Sequence, residues 1–151
     1  MSCISIWVHC VWATKNRLAI MDGEVRRPLF NYMVGHARNN GIFIDRINGS
    51  NDHVHVLLSL GADQGISRVV QVLKGASTYW LNRSGLLPFR FGWQDDYFAV
   101  SVSESQVEKV REYIDRQVEH HQVKSFADEY QEFIDRFGFT RQADGTIRGK
   151  R

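Results

Sequence analysis

The residues best suited to chemistry lie in one short run, Asp52-His53-Val54-His55-Val56-Leu57-Leu58. Side chains on an extended strand alternate between its faces, which puts Val54, Val56 and Leu58 on one side and His53 and His55 on the other. Two neutral imidazoles separated by a single residue are close enough to share one divalent ion. The competing reading is a pair of surface or half-buried histidines, and His-x-His by itself does not decide between the two. A second polar group has helical spacing. Tyr113 and Gln117 are four residues apart and share a face one turn from each other, with His120 and His121 within the next turn. Val107, Val110, Ile114 and Val118 form the apolar stripe of that stretch, with Tyr113 beside it. His9 falls on the strand face opposite Ile4, Ile6 and Val8. A hydrogen-bonding role is favoured for it over ligation, because no motif spacing ties it to His53. His120 and His121 stay open between helix-end, supporting and ligand roles.

These residues need elements to hold them. Cys3 to Trp12 is a β-rich run with Ile4, Ile6, Val8, Cys10 and Trp12 on one face and Ser5, Trp7, His9 and Val11 on the other. A basic loop, Thr14-Lys15-Asn16-Arg17, leads to a helical pattern from Glu24 to Asn40 in which Val25, Leu29, Met33 and Ala37 recur three or four apart. Gly41 stops it. Ile42 to Ile47 reads as a second strand, Asn48-Gly49-Ser50-Asn51 as a turn and Asp52 to Leu60 as a third strand, which makes a hairpin. The next helix runs from about Gly65 to Asn82, with Ile66, Val69, Val70, Leu73 and Trp80 as its buried stripe and Gly75 weakening its middle. Arg90 to Ser103 is a fourth extended region, broken at Asp95-Asp96. Ser103 and Gln106 fit a capping box opening a long helix from about Glu104 to Val123, and Ser125 to Phe137 is a shorter amphipathic helix. The order β-α-β-β-α-β with appended helices specifies an α+β protein of the ferredoxin-like or RRM-like split βαβ class. Two helices then cover one face of an antiparallel sheet, the opposite face stays open for function, and the C-terminal helices carry Tyr113.

Composition sets the remaining bounds. The chain has 151 residues, 43% hydrophobic, 12% aromatic and 24% charged, with two prolines, which excludes a disordered or low-complexity chain. One domain over residues 1–140 and a basic mobile tail over 141–151 are expected. The most apolar stretch, Cys3 to Ala13, is interrupted by Ser5 and His9, too short to span a bilayer and poor as a signal peptide, so a cytoplasmic protein without membrane association is expected. Cys3 and Cys10 would stand about 23 Å apart on an extended segment, beyond disulfide reach, and read as reduced thiols. Residues 1–103 hold ten Lys and Arg against seven Asp and Glu, residues 104–140 five against nine, and residues 141–151 four against one. The body and tail are therefore basic and the segment after Ser103 acidic. Charge alone does not establish nucleic-acid binding.

Three segments taken together resemble a known family. They are Asn51-Asp52-His53-Val54-His55-Val56-Leu57-Leu58, the run Gly92-Trp-Gln-Asp-Asp-Tyr-Phe-Ala-Val-Ser-Val-Ser103, and Tyr113-Ile-Asp-Arg-Gln-Val-Glu-His-His121. In order and spacing they resemble the single-tyrosine transposases of bacterial insertion sequences, members of the His-hydrophobic-His (HUH) endonuclease superfamily, from strand one to about Phe126. The resemblance implies DNA transposition through single-stranded intermediates, with hairpin-containing transposon ends as the partner. It implies that His53 and His55 bind a divalent metal, Mg²⁺ or Mn²⁺, with Gln117 as third protein ligand. Tyr113 would be the nucleophile that forms a 5′-phosphotyrosine, with no nucleotide cofactor. A homodimer is implied, in which the tyrosine helix serves its own or the partner's histidines. Lys15, Arg17, Arg68 and Lys74 are the candidates for phosphate contacts, with surface solvation as the alternative for each. The chain departs from its relatives at Asn51, where proline is frequent, and near Asp96 and Phe98, where glycines are.

Two other functions compete. A domesticated, non-catalytic module would bind single-stranded DNA or RNA hairpins on the open sheet, with aromatics such as Trp7 stacking on bases. A metal-dependent phosphodiesterase would use activated water in place of tyrosine.

Overall fold

The computed structural model describes residues 2–117, 125–138, 140–141 and 147–148. The chain divides into two compact units, Met1–Gln117 and Val118–Arg151. In the first, β1 (Trp7–Ala13), α1 (Gly23–Asn39), β2 (Phe43–Gly49), β3 (His53–Ser59), α2 (Ile66–Ser84) and β4 (Phe98–Val102) follow in that order, with α3 (Val107–Asp115) after them. The strands lie in the order β2-β3-β1-β4, and every neighbouring pair is antiparallel. This is the split βαβ arrangement that the order of elements predicts, and the fold is α+β of the ferredoxin-like type.

The alternation along the strands decides which face the helices take. Val8, Cys10 and Trp12 of β1 and Val54, Val56 and Leu58 of β3 pack with Leu29, Met33 and Ala37 of α1 and Val69, Val70 and Leu73 of α2 in one buried cluster. Burying apolar area of this kind contributes roughly 25 cal/mol per Å², so the face with more apolar surface takes the two crossover helices. Asp22 opens α1 by accepting hydrogen bonds at 3.1 Å from the amides of Glu24 and Val25, groups that a helix start leaves unpaired. α2 ends at Gly85, whose φ of 78° is open to glycine without strain.

β2 contains a bulge between Ile44 and Arg46. One extra residue reverses the alternation, so Ile44 and Ile47, three apart, both pack against the core cluster. Arg46 instead pairs with Leu57 and Asn48 with His55, on the sheet face away from α1 and α2. That face is not left open. α3 lies on it, with Val107 and Ile114 against Leu57 and with Trp7, Val102 and Val110 around them.

Several boundaries differ from the sequence expectation. β1 begins at Trp7, and Ile4 and Ile6 ahead of it are 48% and 43% exposed. Both edges of β1 are occupied, by β3 and β4, so the edge strands are β2 and β4. The side chain of Ser103 makes no capping bond. A 3-10 turn, Glu104–Gln106, comes first and α3 follows it over Val107–Asp115; Gln117 is helical again, and residues 118–123 of the expected Glu104–Val123 helix lie outside the described residues. At the end of α3 Arg116 (φ −98°, ψ 16°) has left helical geometry. Val118, His120 and His121 lie outside the described residues, as does most of the basic tail. In the second unit, α4 (Phe126–Phe137) is capped by the Ser125 side chain, which accepts from the Asp128 amide, and the short strands β5 (Thr140–Arg141) and β6 (Ile147–Arg148) pair antiparallel.

Candidate active site on the second face of the sheet

His53 and His55 project from β3 on the face that carries α3, and both are fully buried. Their ring centroids are 5.0 Å apart. Each is held through the same ring atom. His53 Nδ1 lies 2.8 Å from Asp52 Oδ1 and 2.9 Å from Ser50 Oγ, while Ser50 Oγ also donates to that carboxylate at 3.1 Å. His55 Nδ1 lies 2.9 Å from Nε2 of His9. When Nδ1 is engaged in this way, Nε2 is the nitrogen reserved for another partner.

Gln117 completes the group. Its Nε2 donates to the Tyr113 carbonyl oxygen at 3.2 Å, which turns Oε1 toward His53 Nε2 at 3.4 Å. The Tyr113 ring is half-buried and stands edge-on to His55, with centroids 5.6 Å apart, and edge-on to His9 at 6.2 Å. Two imidazoles and an amide oxygen are a donor set that suits a divalent cation with borderline or hard character, so these residues fit the metal that the sequence implies.

The placement of α3 depends on contacts that periodicity does not reveal. Asp45, the extra residue of the β2 bulge, receives Nε and Nη2 of Arg111 at 2.7 and 2.9 Å, a bidentate pair. The hydrogen bonds to Asp45, and after them one from Nη1 to Glu108 at 3.1 Å, raise the guanidinium pKa above its ordinary value. The Asn48 side chain donates to the carbonyls of Ile114 and Asp115 at 2.9 and 3.3 Å, satisfying acceptors that a helix end leaves open just before Gln117. Trp7 lies under this helix as well. Its Nε1 donates to Glu104 at 2.9 Å, and the Arg111 guanidinium sits 5.6 Å from its ring. The indole that the non-catalytic alternative would use for base stacking thus makes contacts within the fold. Asp45, Asn48, Ser50 and Arg111 were not singled out from sequence. Only Asp52, inside the histidine motif, carried a local signal.

The four basic candidates are not gathered with the histidines. Arg68 and Lys74 are on α2, across the sheet, and Arg68 donates to Gln71 at 3.2 Å. Lys74 Nζ donates to the carbonyls of Gln94, Asp95 and Asp96 at 2.7, 2.9 and 3.0 Å, which commits the ammonium's three protons inside the fold. Burial lowers its pKa, against the opposing pull of Asp95 and Asp96. Lys15 and Arg17 are exposed in the loop after β1, and with Arg90 and Gly92 they line a groove. Asn16 and Arg17 hold left-handed φ values of 59° and 53° there.

The fold and the site define a protein built around a paired-histidine sheet with a tyrosine helix laid across it. Residues 2–117 match the family model "Transposase IS200 like", and the chain belongs to that family. It is 32% identical over 114 residues to the ISDra2 transposase TnpA of Deinococcus radiodurans, covering 72% of this chain and 81% of that one. A crystal structure of a Deinococcus radiodurans protein assigned to the transposases superposes with a TM-score of 0.62 at 27% identity, over 77% of this chain and 93% of that one. A REP-associated tyrosine transposase bound to a REP hairpin shares the fold, with a TM-score of 0.53 at 17% identity over 79% of this chain and 70% of that one. Among the described residues no helix is long and apolar enough to cross a membrane.

Proposed function

We propose that the chain cleaves and rejoins single-stranded DNA through a tyrosine, with a divalent metal held by His53, His55 and Gln117. The observation that carries this reading is the meeting of both histidines, Gln117 and Tyr113 on one sheet face, with His53 Nε2 3.4 Å from Gln117 Oε1 and the Tyr113 ring 5.6 Å from that of His55. A bound Mg²⁺ or Mn²⁺ would polarise the scissile phosphate and offset the charge that develops on it. Asp52 and Ser50 orient His53 through Nδ1, and Gln117 couples the ligand set to the backbone of the tyrosine helix. The Tyr113 oxygen forms a bond to phosphorus as the bond from phosphorus to the 3′ oxygen breaks. The products are a 5′-phosphotyrosine and a 3′-hydroxyl, and the proton lost by the phenol balances the one gained by the leaving oxygen. Attack of a 3′-hydroxyl on the phosphotyrosine reverses the step, so strands rejoin without a nucleotide cofactor.

The substrate is read as hairpin-containing single-stranded DNA from the ends of an insertion sequence, in line with the hairpin held by the REP-associated relative. Exposed Lys15 and Arg17 are read as the phosphate contacts, whereas Lys74 anchors the loop before β4. The active form is read as a homodimer, and its contacts would use the edges β2 or β4 or the helices, since β1 has no free edge. Labelled single-stranded oligonucleotides from the ends of the protein's own locus, incubated with Mg²⁺ or Mn²⁺, should give an adduct that survives denaturation. Tyr113→Phe should abolish the adduct while DNA binding persists. Adduct formation by that variant would assign the nucleophile elsewhere, and metal-independent cleavage would overturn the ligand assignment. Binding without any adduct would favour the non-catalytic module.

A further inference from the structure

The two histidines of β3 are supported unequally. His53 leans on a carboxylate, Asp52, reinforced by Ser50. His55 leans on a second imidazole, that of His9. His9 pairs across the β1–β3 ladder with Leu57, and His55 with Val11, so the two histidines are diagonal neighbours on one sheet face. The diagonal brings His9 Nε2 to 2.9 Å from His55 Nδ1, with the rings 5.2 Å apart and tilted by 30°. His9 is 5% exposed, so bulk water does not substitute readily for its ring nitrogen. The Tyr113 and His9 ring centroids are 6.2 Å apart, which puts His9 beside both a ligand and the nucleophile.

From this geometry we infer that His9 is a positioning residue of the site: it accepts the Nδ1 proton of His55, fixing that ring's orientation and tautomer and reserving Nε2 for the metal. The inference rests on the metal reading of His53, His55 and Gln117. The proton placement follows from ligation through Nε2. An imidazole that ligates through Nε2 carries its proton on Nδ1, so His55 donates, His9 Nε2 accepts, and His9 keeps its own proton on Nδ1. The opposite arrangement, with His9 donating, would leave the proton of His55 on Nε2 and block ligation. Loss of a partner that orients a metal-binding imidazole typically weakens metal binding about 10–100-fold.

Two measurements test this without relying on turnover. In metal-free wild-type protein, nitrogen-15 NMR of the histidine rings should find His55 as the Nδ1–H tautomer and His9 with Nε2 unprotonated, and a His55 Nε2–H tautomer overturns the inference. In calorimetric titration with Mn²⁺ alone, His9→Phe should weaken binding about 10-fold or more, and His9→Gln, which keeps an acceptor within reach of His55, should recover most of it. Wild-type affinity in a folded His9→Phe protein, checked by circular dichroism, also overturns it. Should His9→Phe fail to fold, the wild-type tautomer decides. His53→Ala separates the two readings. If wild-type binds Mn²⁺ and His53→Ala does not, the metal site stands whatever His9 does. If wild-type binds none, the metal reading falls, while the tautomer still reports whether His9 accepts from His55.

Discussion

The two faces of the sheet hold their helices by different physics. On one face α1 and α2 sit on Val54, Val56, Leu58, Cys10 and Trp12, a mainly apolar surface. On the other, α3 has one small apolar contact, Val107 and Ile114 on Leu57, and is otherwise fixed at points: Arg111 on Asp45 and Asn48 on the last helical carbonyls, with Trp7 holding Glu104 of the turn that leads into it. Apolar burial is nondirectional and tolerates small slides, whereas hydrogen bonds set distance and angle. A face that only has to be stable can use the first. A face that must hold a tyrosine and an amide against two imidazoles needs the second.

Breaking the apolar face should cost the most. Leu29 of α1 is fully buried in the main cluster, and Leu29→Ala is expected to lower stability by about 2–5 kcal/mol, measured by urea denaturation. If the loss were under about 1 kcal/mol, the cluster would not be the main source of stability.

The hairpin shared by both faces comes next. Gly49 pairs with Val54, and a Cβ there would run into the carbonyl oxygen of His53 and press on the backbone that carries the first histidine. Gly49→Ala should cost about 1–3 kcal/mol in the same assay and should lower Mn²⁺ affinity too, whereas Leu29→Ala should leave the affinity of the folded fraction intact. A Gly49→Ala protein with wild-type stability would mean that the hairpin relaxes freely.

How much of this was legible in sequence follows from the same division. Period-two alternation in β3 and the spacing of Val25, Leu29, Met33 and Ala37 foretold the apolar face, because apolar burial leaves a periodic trace. His53 and His55 stand out from type and spacing, Tyr113 and Gln117 only through the family resemblance, and the structure brings all four together. Their supports do not stand out. Asp45 reaches Arg111 because of a bulge, which sequence marks only as two isoleucines at an odd spacing, and the bond from Asn48 to Ile114 joins residues far apart in the chain. Lys74, a candidate for phosphate contact, and Trp7, named for base stacking under the non-catalytic alternative, bond to partners across the fold that no local pattern names.

On the site face the expected effect is smaller. Asn48→Ala removes the donor to the Ile114 and Asp115 carbonyls and should cost about 0.5–1.5 kcal/mol by urea denaturation. Its sharper mark should be local. Amide hydrogen exchange should quicken in α3 and leave the β1–β3 ladder unchanged, and uniform quickening would show that α3 is coupled to the core as tightly as α1 and α2 are.

The smallest effect concerns the two thiols, which sample one strand run inside and outside the apolar face. Cys10 is fully buried in the main cluster, and that burial pushes its thiol up to about 12, whereas Cys3 is exposed ahead of β1. The thiolate is the form that attacks an alkylating or disulfide reagent, and a raised pKa keeps Cys10 protonated throughout the neutral and mildly alkaline range. In the native protein at pH 8 a thiol-specific chromogenic reagent should therefore report one fast cysteine, and a second only after denaturation. Because Cys10 ionises more easily unfolded than folded, its contribution to stability is complete below the ordinary thiol value of 9.0 and is lost as pH rises from there toward about 12. Cys10→Ala should remove that alkaline component of the stability profile, and Cys3→Ser should leave the profile unchanged. Two fast thiols in the native protein would mean that the apolar face opens near Cys10 on the timescale of the reagent, and the contrast between a sealed face and a pinned one would then fail at the centre of the sheet.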